Sequence, residues 1–252
     1  MSDQRIASND LTVWTYDWVP EGPRGHVRDI RLRWALEEAG LDYAVRTVPF
    51  DDRGPEHLAR QPFGQVPFLE DGDIILFESG ACLLHLGRKS ETLMPRDPRG
   101  EAEVTQWLVS ALNSVEMVTV PWWFVKVSGA SENPLHDWMM QRFDKLERVL
   151  EGREWLATSG FTIADILMAE VLRIPNDLGE LEKYPALRGY LTRPRPPRFL
   201  ESACWPTGAF RSGGRNAIRR PLNIRGEGCM RRVEVSSSPG PSPCPYSPEC
   251  VE

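Results

Sequence analysis

Cysteine is almost missing from the first three quarters of this 252-residue chain. Only Cys82 lies before position 194, while Cys204, Cys229, Cys244 and Cys250 crowd the end. The five show neither metal-ligand spacing nor a readable disulfide framework, so no metal is expected. A Gly-rich phosphate loop, a metal cluster and a Ser-His-Asp arrangement are also lacking, which removes the commonest sequence signs of phosphoryl transfer, metal-assisted hydrolysis and acyl transfer. No run approaches the ~18 apolar residues that span a bilayer. The opening Met1-Ser-Asp-Gln-Arg-Ile-Ala-Ser8 holds no apolar signal core, so a cytoplasmic protein without a membrane partner is expected. A basic excess is absent too: the net charge is −6, and nucleic acid is not an expected partner.

What is present is ordinary for a globular protein: 41% hydrophobic and 26% charged residues, in a chain long enough for one large or two small domains. The averages hide a break near Arg193. Residues 1–193 carry 21 Lys+Arg against 31 Asp+Glu, whereas residues 194–252 carry 9 against 5 and hold 10 of the 22 prolines.

The body reads as two kinds of pattern. Leu11-Thr-Val-Trp-Thr-Tyr16 alternates and is rich in β-formers, a strand. His26 to Ala39 reads as a helix stopped by Gly40. Tyr43 to Phe50 is a second strand, and Pro55 to Gln61 a short helix. Val66–Glu70 and Ile74–Phe77 form a hairpin about Asp71-Gly-Asp73, and Ser79 to Lys89 a helix. Beyond the Met94-Pro-Arg-Asp-Pro98 linker every pattern is helical. A long stretch from Gly100 to Val127 is expected to bend near Pro121. Another helix runs from Pro134 to Leu150. Thr162-Ile-Ala-Asp165 opens a further one as a capping box with Asp in place of Glu or Gln. A last helix ends near Arg193.

The richest segment is Gln61-Pro-Phe-Gly-Gln-Val-Pro-Phe-Leu-Glu70, followed by Phe77-Glu-Ser-Gly-Ala81. Proline cannot donate to a strand ladder, so Pro67 at the head of a strand marks a special turn, and a cis bond there would lock it. Glu78-Ser79 sets a carboxylate and a hydroxyl at a helix N-terminus, where free N–H groups favour an anion. An open strand edge beside such a helix end suits a short, extended, zwitterionic peptide, and glutathione is one. With Arg33-Trp-Ala-Leu-Glu-Glu-Ala-Gly40 and Phe161-Thr-Ile-Ala-Asp165, these residues make the chain resemble a cytosolic-type glutathione transferase of bacterial kind from about Leu11 to Arg193.

The resemblance implies a thioredoxin-like α/β N-terminal domain over residues 1–92 and an all-α helical-bundle domain over 98–193, with 194–252 a tail. It implies glutathione as co-substrate, a small hydrophobic electrophile as second substrate, and a homodimer. Ser79 would hold the γ-glutamyl carboxylate and Glu78 the ammonium. Val66 would pair its backbone with the cysteinyl part, Pro67 would present that backbone, and Gln65 and Arg53 would complete the contacts. Trp107, Trp122, Trp123 and Phe124 are candidates for lining an electrophile pocket.

The thiolate-stabilising group is open. The family uses a Tyr ending the first strand, or a Ser or Cys at the first helix start. Here Asp17-Trp-Val-Pro-Glu-Gly-Pro-Arg-Gly-His26 holds no Ser, Thr or Cys. Tyr16, Arg24 and His26 are the side-chain candidates, with backbone N–H groups alone as a further one. The missing Ser or Cys also supports a second reading, a non-catalytic glutathione-binding or interaction module on the same fold.

The tail fits two origins, a disordered extension or translation out of frame. Shifting Arg198 to Asn216 by one base permits an amphipathic helix of good helix formers. Resequencing across codons 188–200 distinguishes the two. If the terminal helix is scrambled by a shifted frame, limited proteolysis is expected to clip the tail quickly and leave a fragment ending near Arg193, and a protease-resistant tail overturns that expectation.

Overall fold

The computed structural model describes residues 11–20 and 22–193. The opening segment and the 194–252 tail, with the expectations attached to them, lie outside those residues. Strand β1, Leu11–Tyr16, takes the centre of a four-stranded sheet because its alternation buries Leu11, Val13 and Thr15. On one side it pairs in parallel with β2, Ala44–Val48, with Tyr16 opposite Val48. On the other it runs antiparallel to β3, Phe68–Asp71, with Trp14 opposite Phe68. β3 turns at Gly72 into β4, Ile74–Phe77, with Phe68 opposite Phe77. The order β2-β1-β3-β4 is the thioredoxin-like arrangement. β2 is shorter than its sequence pattern, because Asp17 Oδ1 accepts the Phe50 N–H (3.1 Å) outside the ladder.

Helix α1 spans Asp29–Ala39 rather than starting at His26. The Pro/Gly-rich loop before it closes a turn in which the His26 N–H donates to the Pro23 carbonyl (2.9 Å). At its far end Gly40 adopts φ 65° and returns its N–H to the last turn, a backbone that L side chains avoid. Short α2, Pro55–Arg60, leads to β3, and α3, Ser79–Arg88, follows β4.

Next come α4, Pro98–Ser110, and α5, Met117–Val127, joined through a π-helical turn at Ala111–Glu116. Asp97 caps α4 by accepting the Gly100 N–H (2.9 Å). The irregularity expected at Pro121 therefore sits earlier, where the Met117 N–H bonds the Leu112 carbonyl five residues back. Helices α6, His136–Leu150, α7, Ile163–Asp177, and α8, Pro185–Thr192, complete the described chain. The Thr162–Asp165 capping box is present. The Asp165 carboxylate accepts the Thr162 N–H (2.9 Å), the Leu156 N–H (3.0 Å) and the Tyr190 O–H (3.1 Å), so this cap also ties α7 to α8.

The described residues fall within one compact unit. One apolar core runs from Leu11 and Trp34 through Leu83 and Leu108 to Leu167 and Tyr190. One expectation needs correcting here. Pro98–Val127 forms a continuous 30-residue helix that is long and apolar enough, by length and composition, to cross a membrane. Its apolar face has another use, since Val104, Leu108, Ala111, Val115, Val118 and Trp122 all pack into the core.

One carboxylate strains this arrangement. Asp29, 1% exposed, faces Arg33 at 3.5 Å, and its Oδ2 accepts no hydrogen bond among the described residues. Burial pushes its pKa up to about 6. The folded state therefore holds a proton that the unfolded chain releases near 4, and stability falls as pH rises between those values. Asp29→Asn is predicted to stabilise the protein by about 3 kcal/mol at pH 7.5. Thermal melts should show this gain fading by pH 4.

Candidate functional site

The register gathers the candidate residues at one end of the sheet. Phe68 faces Phe77, so Val66-Pro67 and Glu78-Ser79 adjoin at the open end of that hairpin. Trp14 faces Phe68, so Tyr16 at the end of β1 lies beside the same segment. The Val66–Pro67 bond is cis. Among the described residues the Val66 backbone forms no hydrogen bond, leaving its N–H and C=O open for strand addition.

The loop before Val66 is braced on several sides. Arg53 Nε donates to the Gly64 carbonyl (3.1 Å), and His57 Nε2 lies 2.8 Å from the Gln65 carbonyl. Gly64 sits at φ 61°, and a Cβ there would meet Arg53 Cγ at 2.8 Å, so glycine is required twice over. Tyr16 joins the brace: its hydroxyl donates to the Gly64 carbonyl (3.3 Å) and accepts from Arg53 Nη2 (3.2 Å). The Arg53 guanidinium stacks over the rings of Tyr16 and Phe50, 4.9 and 5.0 Å from their centroids. Both residues thus hold the loop in shape. Gln65 stays exposed beside it.

At the start of α3, Glu78 is exposed and adopts φ 66°. It is the one non-glycine residue with positive φ among those described, a conformation of order 1–3 kcal/mol above the ordinary wells. Ser79 behind it is 6% exposed, and its Oγ accepts from Arg31 Nη1 (3.1 Å). Gly80 lies close to the π-helical turn: a Cβ there would stand 2.7 Å from Leu112 Cδ1, the end of a side chain that would have to turn aside.

Arg31 belongs to an ionic chain that the sequence reading missed. Its guanidinium, 2% exposed, reaches Glu116 (2.7 Å) on the π-helical turn and Glu170 (2.7 Å) on α7. Glu116 also binds Arg28 (2.9 Å), and Glu170 lies 3.6 Å from Arg173. Three cations thus alternate with two anions. Burial opposes the Arg31 charge, yet Glu170 and Glu116 outweigh it and hold its pKa above the ordinary value. Burial likewise opposes ionisation of Glu116, and Arg31 and Arg28 outweigh it, holding this carboxyl below the usual range. A signal for these residues did exist: Arg31 sits on the inward stripe with Ile30 and Trp34, and Glu116 and Glu170 interrupt apolar runs.

The loop candidates lie ahead of α1. Arg24 is exposed and makes no ion pair among the described residues. His26 is half-buried, and its shielded Nδ1 has no hydrogen-bond partner among the described residues. Its pKa is lowered, first by burial and then by Arg173. Arg173 donates to the neighbouring Gly25 carbonyl (2.8 Å), so α7 touches this loop directly.

The aromatic candidates divide. Trp122 is core, 1% exposed, and the shallow cleft at its edge is lined by Lys126, His136, Asp137 and Glu180, charged groups poorly suited to an apolar molecule. Trp107 and Trp123 are half-buried against the core, while Phe124 is exposed.

Residues 22–88 match the glutathione S-transferase N-terminal domain and residues 136–194 the C-terminal domain. Glutathione S-transferase 1 of Zea mays is 35% identical over 150 residues, covering 54% of this chain and 70% of that protein. Glutathione S-transferase 4 of the same plant is 39% identical over 149 residues, covering 54% and 65%. In structure, a glutathione transferase from Pseudomonas putida, with one glutathione disulfide bound per subunit, superposes with a TM-score of 0.68 at 22% identity, covering 80% of this chain and 94% of that one. One from Burkholderia graminis, with two glutathione molecules bound per subunit, gives 0.67 at 24%, covering 79% and 89%. At these identities the structural likeness speaks for the fold.

The strain at Glu78 is open to test. Glycine tolerates its φ and alanine does not, so Glu78→Gly should melt about 2–4 °C above Glu78→Ala, the size expected for about 1 kcal/mol of relieved strain. Equal melting temperatures would show that Glu78 is not strained.

Proposed function

Because this chain belongs to the glutathione S-transferase family, we propose that it binds glutathione across the Val66 edge and the Glu78-Ser79 helix start and activates the thiol for attack on a small electrophile. The observation that carries the reading is the register that sets an unpaired backbone segment beside the N-terminus of α3. The tripeptide backbone would pair with Val66. Its γ-glutamyl carboxylate would meet the Ser79 hydroxyl and the first N–H groups of α3, and its ammonium would meet Glu78. We take residues 1–92 as the glutathione-binding domain and 98–193 as the helical domain beside it.

In the reaction, the thiol gives its proton to solvent and the thiolate sulfur forms a bond to the electrophilic carbon. Either a leaving group departs with its electron pair, or the adduct takes up a proton. Lowering the thiol pKa and holding both substrates together supply the acceleration. Of the three side-chain candidates, Tyr16 is the least available, since its one proton is directed at Gly64. Arg24 offers a charge that makes no ion pair among the described residues. His26, kept neutral by its lowered pKa, offers a ring N–H. The exposed β4 side chains Ile74, Ile75 and Phe77, with Phe63 next to Phe77, suit burial in a homodimer.

Calorimetric titration of glutathione into the full chain and into Glu78→Ala/Ser79→Ala tests the site. Binding that weakens at least about tenfold in the double variant is expected, since each lost contact to a charged group is worth roughly 1.5–3 kcal/mol. No binding by a folded wild type would overturn the reading. Tight binding without turnover on a broad electrophile panel would favour the non-catalytic module.

A further inference from the structure

Among the contacts of Ser79, the one from below carries a consequence for its chemistry. A serine hydroxyl has one proton to give and can accept through its oxygen. Arg31 Nη1 donates to Ser79 Oγ at 3.1 Å, and an arginine cannot take the hydroxyl proton in return. The Ser79 proton is therefore turned away from Arg31. The guanidinium itself has little freedom: Nε donates to Glu170 (2.8 Å), Nη1 also to Glu116 (3.2 Å), and Nη2 to Glu116 (2.7 Å).

We infer that Arg31 is a positioning residue that presets Ser79 as a hydrogen-bond donor to a ligand carboxylate, and that Glu116 and Glu170 from the helical half hold it in that role. The inference rests on the proposed binding of the γ-glutamyl carboxylate at Ser79. The charge balance supports the same direction. Arg28, Arg31 and Arg173 outnumber Glu116 and Glu170, leaving a net positive charge next to an anion-accepting helix end. Arg31 is buried away from solvent, so it acts through the hydroxyl.

The test is calorimetric titration of the full chain with two probes: glutathione, and 4-aminobutyryl-cysteinyl-glycine, which keeps the amine but lacks the γ-glutamyl carboxylate. The proteins are wild type, Ser79→Ala, Arg31→Lys and the double variant, each checked for folding by circular dichroism. Arg31→Lys is expected to weaken glutathione binding about tenfold, the size of a charge-assisted hydrogen bond. In the Ser79→Ala background, or with the carboxylate-free probe, the same substitution should change affinity less than twofold. General damage to the fold would lower affinity for both probes alike, and that outcome overturns the inference. If Arg31→Lys does not fold, Glu170→Gln takes the negative charge from the Nε acceptor and carries the same expectation. A Ser79→Ala protein that binds glutathione as tightly as wild type overturns the site reading itself. Loss in Ser79→Ala with no coupling to Arg31 overturns only the positioning role.

Discussion

A single buried cation ties this structure together. Arg31 leaves the N-terminal helix, passes under the start of α3 and ends between carboxylates from two separate helices of the C-terminal half. Removing one partner of such a buried pair typically costs 3–5 kcal/mol, because the group left behind stays charged without compensation. Replacing the whole set with apolar residues can be neutral. The network joins α1, the π-helical turn and α7 at one buried point.

Several local features make sense around that point. The π-helical turn widens the backbone just before Glu116, in a helix that otherwise continues from Pro98 to Val127. Gly80 of α3 lies close to Leu112 in that same turn. Arg173, one turn beyond Glu170, reaches the Gly25 carbonyl, so the loop ahead of α1 leans on α7 as well. On the sheet side, Arg53, His57 and Tyr16 brace the segment before Val66 without drawing on the ionic chain. The end of the hairpin is thus held by two independent sets of contacts.

The sequence carried most of the fold. Alternation in Leu11–Tyr16, the Asp-Gly turn at 71–72 and the Thr162–Asp165 cap are local signals with local outcomes, and each stands where it was expected. Val66-Pro67 and Glu78-Ser79 are local patterns too, and the fold brings them together at the open end of the hairpin. The start of α1 was misplaced because charged and apolar residues continue the helical pattern back through His26, while the turn from Pro23 overrides it. The π-helical turn was invisible because one extra residue hardly disturbs periodicity over 30 positions. Arg31, Glu116 and Glu170 were missed for a different reason. Each looks like one polar residue on an apolar face, and only their convergence across 139 residues of chain gives them meaning. That Tyr16 and Arg53 meet at the Gly64 carbonyl is a contact only the folded chain shows.

The division of the ionic chain between the two halves bears on how freely such halves can be exchanged. The cation belongs to one and both of its carboxylates to the other. A chimera that joins this sheet half to a foreign helical half would inherit a buried, uncompensated guanidinium unless the incoming helices supplied two acids at matching depth. Modularity here is conditional on charge bookkeeping across the seam, and the two halves should travel through recombination as a matched pair.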